Sequence, residues 1–313
     1  MARLIINRLI LSVVLVFISS VAIFLLMALV PGDPARTILG ANATPQSIAY
    51  LRQQLGLNEP LYLQYGQWLL GALHGDLGNS VFSGVSVISE IASRIPVTLS
   101  LILLSTVVIA LLGGTLGLLS AIKGGWLGRL LDTISLVGLA LPSFWVGVVI
   151  VAVFAVALTI FPATGYVPLT FSPGLWILSL ILPVAALSLA GVTILAKQMR
   201  DSALDVLSRD YIRVLRGNGI SERSILFKHV LRNAALPSLT VLGITVVGSL
   251  AGAVFVENVF VLPGLGTLVT QATTTHDIPV VLGVGLFFTL FVIIVNLLID
   301  IGYGLLNPKV RLS

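Results

Sequence analysis

Residues 97–122 read VTLSLILLSTVVIALLGGTLGLLSAI, a run without a single Asp, Glu, Lys or Arg. A helix needs about 20 residues to cross the ~30 Å hydrocarbon core of a bilayer, and this run is longer. Lipid offers no water to backbone N–H and C=O groups, so the run is stable there as a helix that pairs them internally. Five more uncharged runs of similar length follow the same logic: Leu9–Val30, Thr133–Phe161, Leu175–Ala196, Ala234–Val256 and Ile278–Ile299. None alternates apolar and polar residues at period two, which excludes a membrane β-barrel. The expected fold class is an all-α integral membrane protein with six transmembrane helices.

The whole chain supports this reading. Of its 313 residues, 57% are hydrophobic and 9% charged, against about 25% charged in a soluble chain. Mean hydropathy is +1.11. A water-soluble fold of this size could not cover its surface with so few charges. Arg3 and Arg8 precede the first run as they would a signal peptide. The run exceeds the ~7–15 apolar residues of a signal core, and no clear small-x-small cleavage site follows it before Pro31, so a retained helix is expected.

The net charge of +5 and pI near 9.8 could suggest nucleic acid. The positions of the charges argue for topology instead. An even number of spans puts both termini on one side. With that side cytoplasmic, 14 of the 17 Lys and Arg lie inside: Arg3, Arg8, Lys123, Arg129, Lys197, Arg200, Arg209, Arg213, Arg216, Arg223, Lys228, Arg232, Lys309 and Arg311. Only Arg36, Arg52 and Arg94 lie outside. This is the positive-inside asymmetry, and it leaves no call for a nucleic-acid partner.

The loops carry their own signals. Thr44-Pro45 reads as an N-cap and first helical residue, with Gly56 as a stop. A further helix is expected from about Pro60, carrying Tyr62, Tyr65 and Trp68. Those aromatics suit either the membrane surface or ordinary packing. His74-Gly75-Asp76-Leu77-Gly78 reads as a turn; one His beside one Asp is a weak basis for a metal site. Residues 197–233 hold eight of the basic residues together with Asp201, Asp205, Asp210 and Glu222. Apolar residues recur among them (Leu204, Val206, Leu207, Tyr211, Ile212, Val214, Leu215), so the segment is no disordered charge run. Caps are expected at Ser202 and Ser221, with Gly217 and Gly219 breaking helical pieces. A helix–turn–helix of this kind is either a docking surface or a solvated loop.

Several chemistries are missing from the residues. The absence of cysteine removes disulfides, thiolate nucleophiles and thiolate metal sites. No span interior holds an ionisable residue; Glu257 and Asp300 sit at span boundaries. Ion-coupled transporters and charge-ring channels ordinarily keep such groups at their working sites. A phosphate-binding loop ends in Gly-Lys, and this chain has no such dipeptide. It also lacks His-Glu-x-x-His and Gly-x-Ser-x-Gly, so no enzyme chemistry is legible. Gly113–Gly117 and Gly248–Gly252 have the spacing that permits close helix approach. Pro142, Pro183 and Pro237 are expected to kink or end their helices.

The ordered set of motifs resembles the integral-membrane permeases of bacterial dipeptide, oligopeptide and nickel ABC importers, especially the dipeptide-system B permease. The resemblance spans the chain. It comprises Pro31-Gly32-Asp33-Pro34, Leu55-Gly56-Leu57-Asn58-Glu59-Pro60, Gly75-Asp76-Leu77-Gly78 and Asp210-Tyr211-Ile212-Arg213. It continues with Gly219-Ile220-Ser221-Glu222-Arg223, Leu231-Arg232-Asn233-Ala234, Leu236-Pro237, Val256-Glu257-Asn258-Val259-Phe260, Pro263-Gly264-Leu265-Gly266 and Asn307-Pro308-Lys309-Val310-Arg311.

The resemblance implies a type I importer bundle, multi-pass in the bacterial inner membrane. Its parts would be an N-terminal helix (1–30), an extracytoplasmic loop (31–93), a transmembrane domain (94–305) containing the cytoplasmic loop 197–233, and a tail (306–313). It further implies a second permease, in a heterodimer, two cytoplasmic ABC ATPases and an extracytoplasmic solute-binding protein. ATP and magnesium would act on the ATPases, with no cofactor in this chain. The ATPase-coupling segment would be Asp210, Tyr211, Arg213, Val214, Leu215, Arg216, Gly217, Asn218, Gly219, Ile220, Ser221, Glu222 and Arg223. Aligning the family's conserved Gly on Gly219 places Arg213-Val214-Leu215 where Glu-Ala-Ala is usual. Val214 and Leu215 would then be the apolar contacts. Dipeptides, longer peptides, glutathione and nickel all remain open as solutes. A stand-alone secondary transporter or channel is the alternative; it would need no ATPase.

Overall fold

The computed structural model describes residues 2–40, 42–126, 128, 130, 133–134 and 141–306. Regular structure among them is helical, apart from one antiparallel bridge between Asn79 and Ser86. In chain order the helices are α1 (Ala2–Leu29), α2 (Pro34–Leu39), α3 (Pro45–Gln54), α4 (Leu61–Leu73) and α5 (Val87–Lys123). They continue as α6 (Ser143–Ala157), α7 (Pro173–Ser208), α8 (Asp210–Gly217), α9 (Glu222–Val259), α10 (Leu265–Thr275) and α11 (Ile278–Leu306). Among the described residues, five helices are long and apolar enough to span a membrane: α1, α5, α7, α9 and α11.

Six spans were expected; five are present among the described residues, and the sixth run holds one shorter apolar helix. Within Thr133–Phe161 the structure shows α6, while residues 135–140 lie outside the described set. The helix stops at Ala157 rather than Phe161, because Thr159 turns to a φ of 51°. Elsewhere the helices outrun the hydrophobic runs that revealed them. α7 continues to Ser208 and α9 begins at Glu222, since backbone hydrogen bonding persists after the apolar side chains end. Pro183 and Pro237 lie inside α7 and α9 without ending them, and Pro142 precedes α6 as its N-cap. The motif Asn307–Arg311 and the tail lie outside the described residues.

By contacts the chain forms two compact units, residues 1–98 with 263–293, and residues 99–262 with 294–313. These differ from the topological ranges 1–30, 31–93, 94–305 and 306–313, because α10 and the start of α11 pack with the N-terminal segment.

The first unit is cored by Met27, Val87, Ile91, Leu265, Leu268 and Val284. Its loop motifs are tied down by specific bonds. Asp33 caps α2 by accepting from the Ala35 N–H at 3.1 Å, and it pairs with Arg52 at 3.2 Å. His276 Nε2 donates to the Pro31 carbonyl at 2.9 Å, and a Cβ on Gly32 would lie 2.0 Å from the His276 ring. Only glycine fits there. Thr44 caps α3 through the Ser47 N–H, and α4 follows Pro60 as expected. Tyr65 packs inward, its hydroxyl 2.9 Å from Ser20 Oγ and its ring 5.4 Å from that of Phe24. Tyr62 remains 74% exposed. α4 thus packs on α1 through one aromatic and leaves another free.

The second unit depends on close helix approach. A Cβ on Gly117 of α5 would meet the Ala196 carbonyl of α7 at 2.3 Å and Met199 Cβ at 2.8 Å. Gly113, one turn earlier, lies against Leu195 and Val192 in the same way. The Gly113–Gly117 spacing therefore serves packing within this chain. Gly114, between them, has nothing within 4 Å. We expect Gly117→Ala to cost about 1–3 kcal/mol through overpacking, lowering the thermal midpoint of the detergent-solubilised chain. Gly114→Ala should be neutral or stabilising by up to about 1 kcal/mol. Equal midpoints for the two variants would contradict this packing.

Candidate functional site: an anchored surface helix and an apolar cavity

The charged segment folds as a short helix bolted to its own unit. α7 ends at Ser208, and Arg209 is extended (φ −72°, ψ 143°), which turns the chain into α8. Ser202 is therefore interior to α7 rather than a cap, and its Oγ accepts from Gln198 Nε2 at 2.9 Å. Asp210 stands in the first turn of α8 and Arg216 in the last, the arrangement favoured by the helix dipole.

The end of α8 is a Schellman turn. The Ile220 N–H reaches the Leu215 carbonyl at 3.2 Å, and the Gly219 N–H reaches the Arg216 carbonyl at 3.0 Å. Gly219 occupies the left-handed position between them, with φ +74°. Leu215 and Ile220 close the motif by packing on the same apolar cluster. Ser221 then caps α9 through the Ser224 N–H, as expected. The turn is spanned by an ion pair: Arg216 Nε donates to Glu222 Oε1 at 2.7 Å and its Nη2 to Oε2 at 3.3 Å. Hydrogen bonding to Glu222 raises the Arg216 guanidinium further above its ordinary range. The pair is exposed, so its contribution is geometric more than energetic.

The two faces of α8 differ sharply. Ile212 is fully buried among Ala121, Met199, Ala203, Val206, Ile225 and Val230, residues of α5, α7 and α9. Leu215 supports it from the same face. Val214 is 61% exposed, and Tyr211, Arg213, Arg216, Gly217, Asn218 and Arg223 are exposed with it. The structure thus separates the two apolar residues assigned to outward contact: Val214 points outward and Leu215 inward. Ile212, absent from the expected set of site residues, is the anchor. Its i, i+3 spacing with Leu215 is the signal that marks the buried face.

A cavity of about 610 Å³ lies among α6, α7 and α9. Its wall includes Phe144, Leu187, Ile194, Ile244, Gly248 and Phe255. None of the lining residues is charged. The hydroxyls of Thr245 and Ser249 donate to carbonyls of their own helix, at 2.8 and 2.9 Å, so the wall presents mostly carbon. The Gly248–Gly252 pair divides its roles: a Cβ on Gly252 would meet Leu187 at 2.7 Å, whereas Gly248 opens on free space.

A family described as "Binding-protein-dependent transport system inner membrane component" matches residues 113–312. Its N-terminal companion, "Binding-prot-dependent transport system membrane comp, N-term", matches residues 1–102. The chain is 40% identical over 312 residues to a putative peptide transport system permease protein of Brucella abortus, covering 99% of each. It is 38% identical over 308 residues to a probable peptide ABC transporter permease protein of Sinorhizobium fredii, covering 98% of each. It is 39% identical over 312 residues to a glutathione transport system permease protein of Escherichia coli, covering 99% of each.

The Schellman turn makes a prediction independent of function. Gly219 has open space around its Cβ position, so Gly219→Ala introduces only backbone strain, about 1 kcal/mol. Amide exchange across α8 should then accelerate about fivefold. Gly219→Pro, which also removes the bond to the Arg216 carbonyl, should accelerate it further. Unchanged exchange in both variants would contradict the turn.

Proposed function

Since the chain belongs to the family of inner membrane components of binding-protein-dependent transport systems, we propose that it forms half of the solute pathway of an ATP-driven peptide importer. The permease role in an ABC transport system follows from the family. The finer reading is that α8 seats in a cytoplasmic ATPase and passes the motion of ATP binding and hydrolysis into the bundle. One observation carries it: α8 exposes Val214, Arg213 and Arg216 while Ile212 is locked into α5, α7 and α9. A force on the outer face therefore acts on three long helices at once. The buried anchor favours a docking surface over a solvated loop, which needs none.

In this reading both termini and α8 are cytoplasmic, α6 completes the sixth crossing, and the bundle is of the type I importer kind. Two ATPases, a second and different permease, and an extracytoplasmic binding protein complete the machine. ATP and magnesium are held by the ATPases; this chain carries no phosphate loop and performs no catalysis. Alternating access follows from ATPase states that favour inward- and outward-open forms unequally. Short peptides are the solute class, in keeping with the names of the relatives from Brucella and Sinorhizobium. The apolar cavity, whose lining carries no fixed charge, is the candidate passage.

Reversing the outward charges, as Arg213→Glu with Arg216→Glu, should reduce peptide uptake at least tenfold while the chain still reaches the membrane. Uptake by membrane vesicles, with permease abundance measured by immunoblot, reads this directly. Full uptake by the double variant would remove α8 from the coupling path. ATP-independent uptake by the chain alone would favour a secondary transporter.

A further inference from the structure

A second cavity, of about 370 Å³, lies wholly within the first compact unit, and its chemistry is the reverse of the apolar one. Glu90 and Arg94, one turn apart on α5, line it together with Gln271, Thr274 and Thr275 of α10. An acid and a base at i and i+4 on a helix ordinarily pair with each other. Here Glu90 Oε1 accepts from Ser83 Oγ at 2.6 Å. Half-buried Arg94 has no hydrogen bond or ion pair among the described residues. A guanidinium without a carboxylate, held in a cavity wall, is a fork matched to a planar two-oxygen anion. Glu90 keeps Oε2 for a cation.

The frame of this cavity is fixed by a residue the sequence did not single out. Asp277, 3% exposed, accepts from Ser80 Oγ at 2.5 Å and from the Val81 and Phe82 N–H groups at 3.2 and 3.3 Å. The loop that presents Ser83 to Glu90 is thereby clamped to the junction of α10 and α11. Its charge is spent on that clamp, which leaves Arg94 and Glu90 as the groups open to a ligand.

We propose that this cavity binds the two charged ends of a short peptide, the carboxylate on Arg94 and the ammonium on Glu90. Glu90 and Arg94 form no ion pair with each other, so their charged ends stand apart. A dipeptide, whose ends lie up to roughly 7 Å apart when extended, can reach both, whereas a free amino acid carries both charges on one α-carbon. The proposal deepens the peptide-importer reading and takes its class of solute from it. It also supplies what the apolar cavity lacks, a charged site that tells a free peptide end from a blocked one.

The test is direct binding to the full chain in lipid nanodiscs, with neither ATPase nor binding protein present. The probes are alanyl-alanine, its C-terminal amide and its N-acetyl derivative, followed by calorimetry or saturation-transfer NMR. Alanyl-alanine should bind at least tenfold more tightly than the amide. Arg94→Ala should bring it down to the level of the amide, and Arg94→Lys should recover part of the loss. Glu90→Gln should erase the preference over the N-acetyl form. Equal binding of free and amidated peptide, no binding of any probe, or wild-type affinity in Arg94→Ala would overturn the proposal. If Arg94→Ala elutes as aggregate, Arg94→Lys and the amide comparison on the unaltered chain decide it. Because no ATPase is present, a negative result leaves the coupling role of α8 standing, and a failure of coupling leaves this site standing.

Discussion

Ile212 projects from an eight-residue helix into a cluster shared by α5, α7 and α9, and it is fully buried there. Fully burying an Ile side chain is worth about 1.5–3 kcal/mol. That is enough to hold a short helix that could not persist alone in water, where isolated helices shorter than about 12 residues are marginal. The Schellman turn at Gly219 and the Arg216–Glu222 pair then fix the register of α8 relative to α9. The result is a surface element with little freedom to move independently of the helices beneath it. In the proposed coupling role such a connection matters, because a docking helix on a slack loop would dissipate the motion of its partner.

Close packing extends this rigidity through the second unit. Gly113 and Gly117 let α5 approach α7 to backbone distance, and Gly191 of α7 admits Ile109 and Thr245 from its two neighbours. In lipid the hydrophobic effect does not drive helices together, so association rests on contacts of this kind. The apolar cavity is the complementary feature, a place where α6, α7 and α9 leave a gap. Close contact and open space thus lie on the same helices, with glycine at both.

The fold was legible where one physical signal dominated. Uncharged runs located α1, α5, α7, α9 and α11 because the cost of charge in lipid leaves few exceptions. Their ends were less legible. Hydropathy reports residence in lipid, whereas α7 runs on to Ser208 on hydrogen bonds that hydropathy does not record. Ser202 looked like a cap by residue type, but its hydroxyl bonds Gln198 inside a continuous helix. Thr44, Pro60 and Ser221 behaved as their local chemistry implied, since a cap is decided within three residues. For the charged segment, the helix and its turn were legible, and the orientation of the helix was not. Val214 and Leu215 are neighbours in sequence and lie about 100° apart on the helix, so only the buried partner Ile212 reveals which faces outward. Asp277 was invisible for the opposite reason: its partners Ser80–Phe82 are nearly two hundred residues away, and no local pattern joins them.

The chain has no cysteine, so Val214→Cys gives a single thiol on the outer face of α8. Treatment of the assembled, transport-competent complex with a short reagent that joins a thiol to a nearby amine tests the central claim most directly. The expected product is a covalent adduct between this chain and an ATPase subunit, absent when the thiol is placed at Ile244 in the apolar cavity. A complex that transports peptide, carries an accessible thiol at position 214 and yields no adduct with any ATPase would contradict the account.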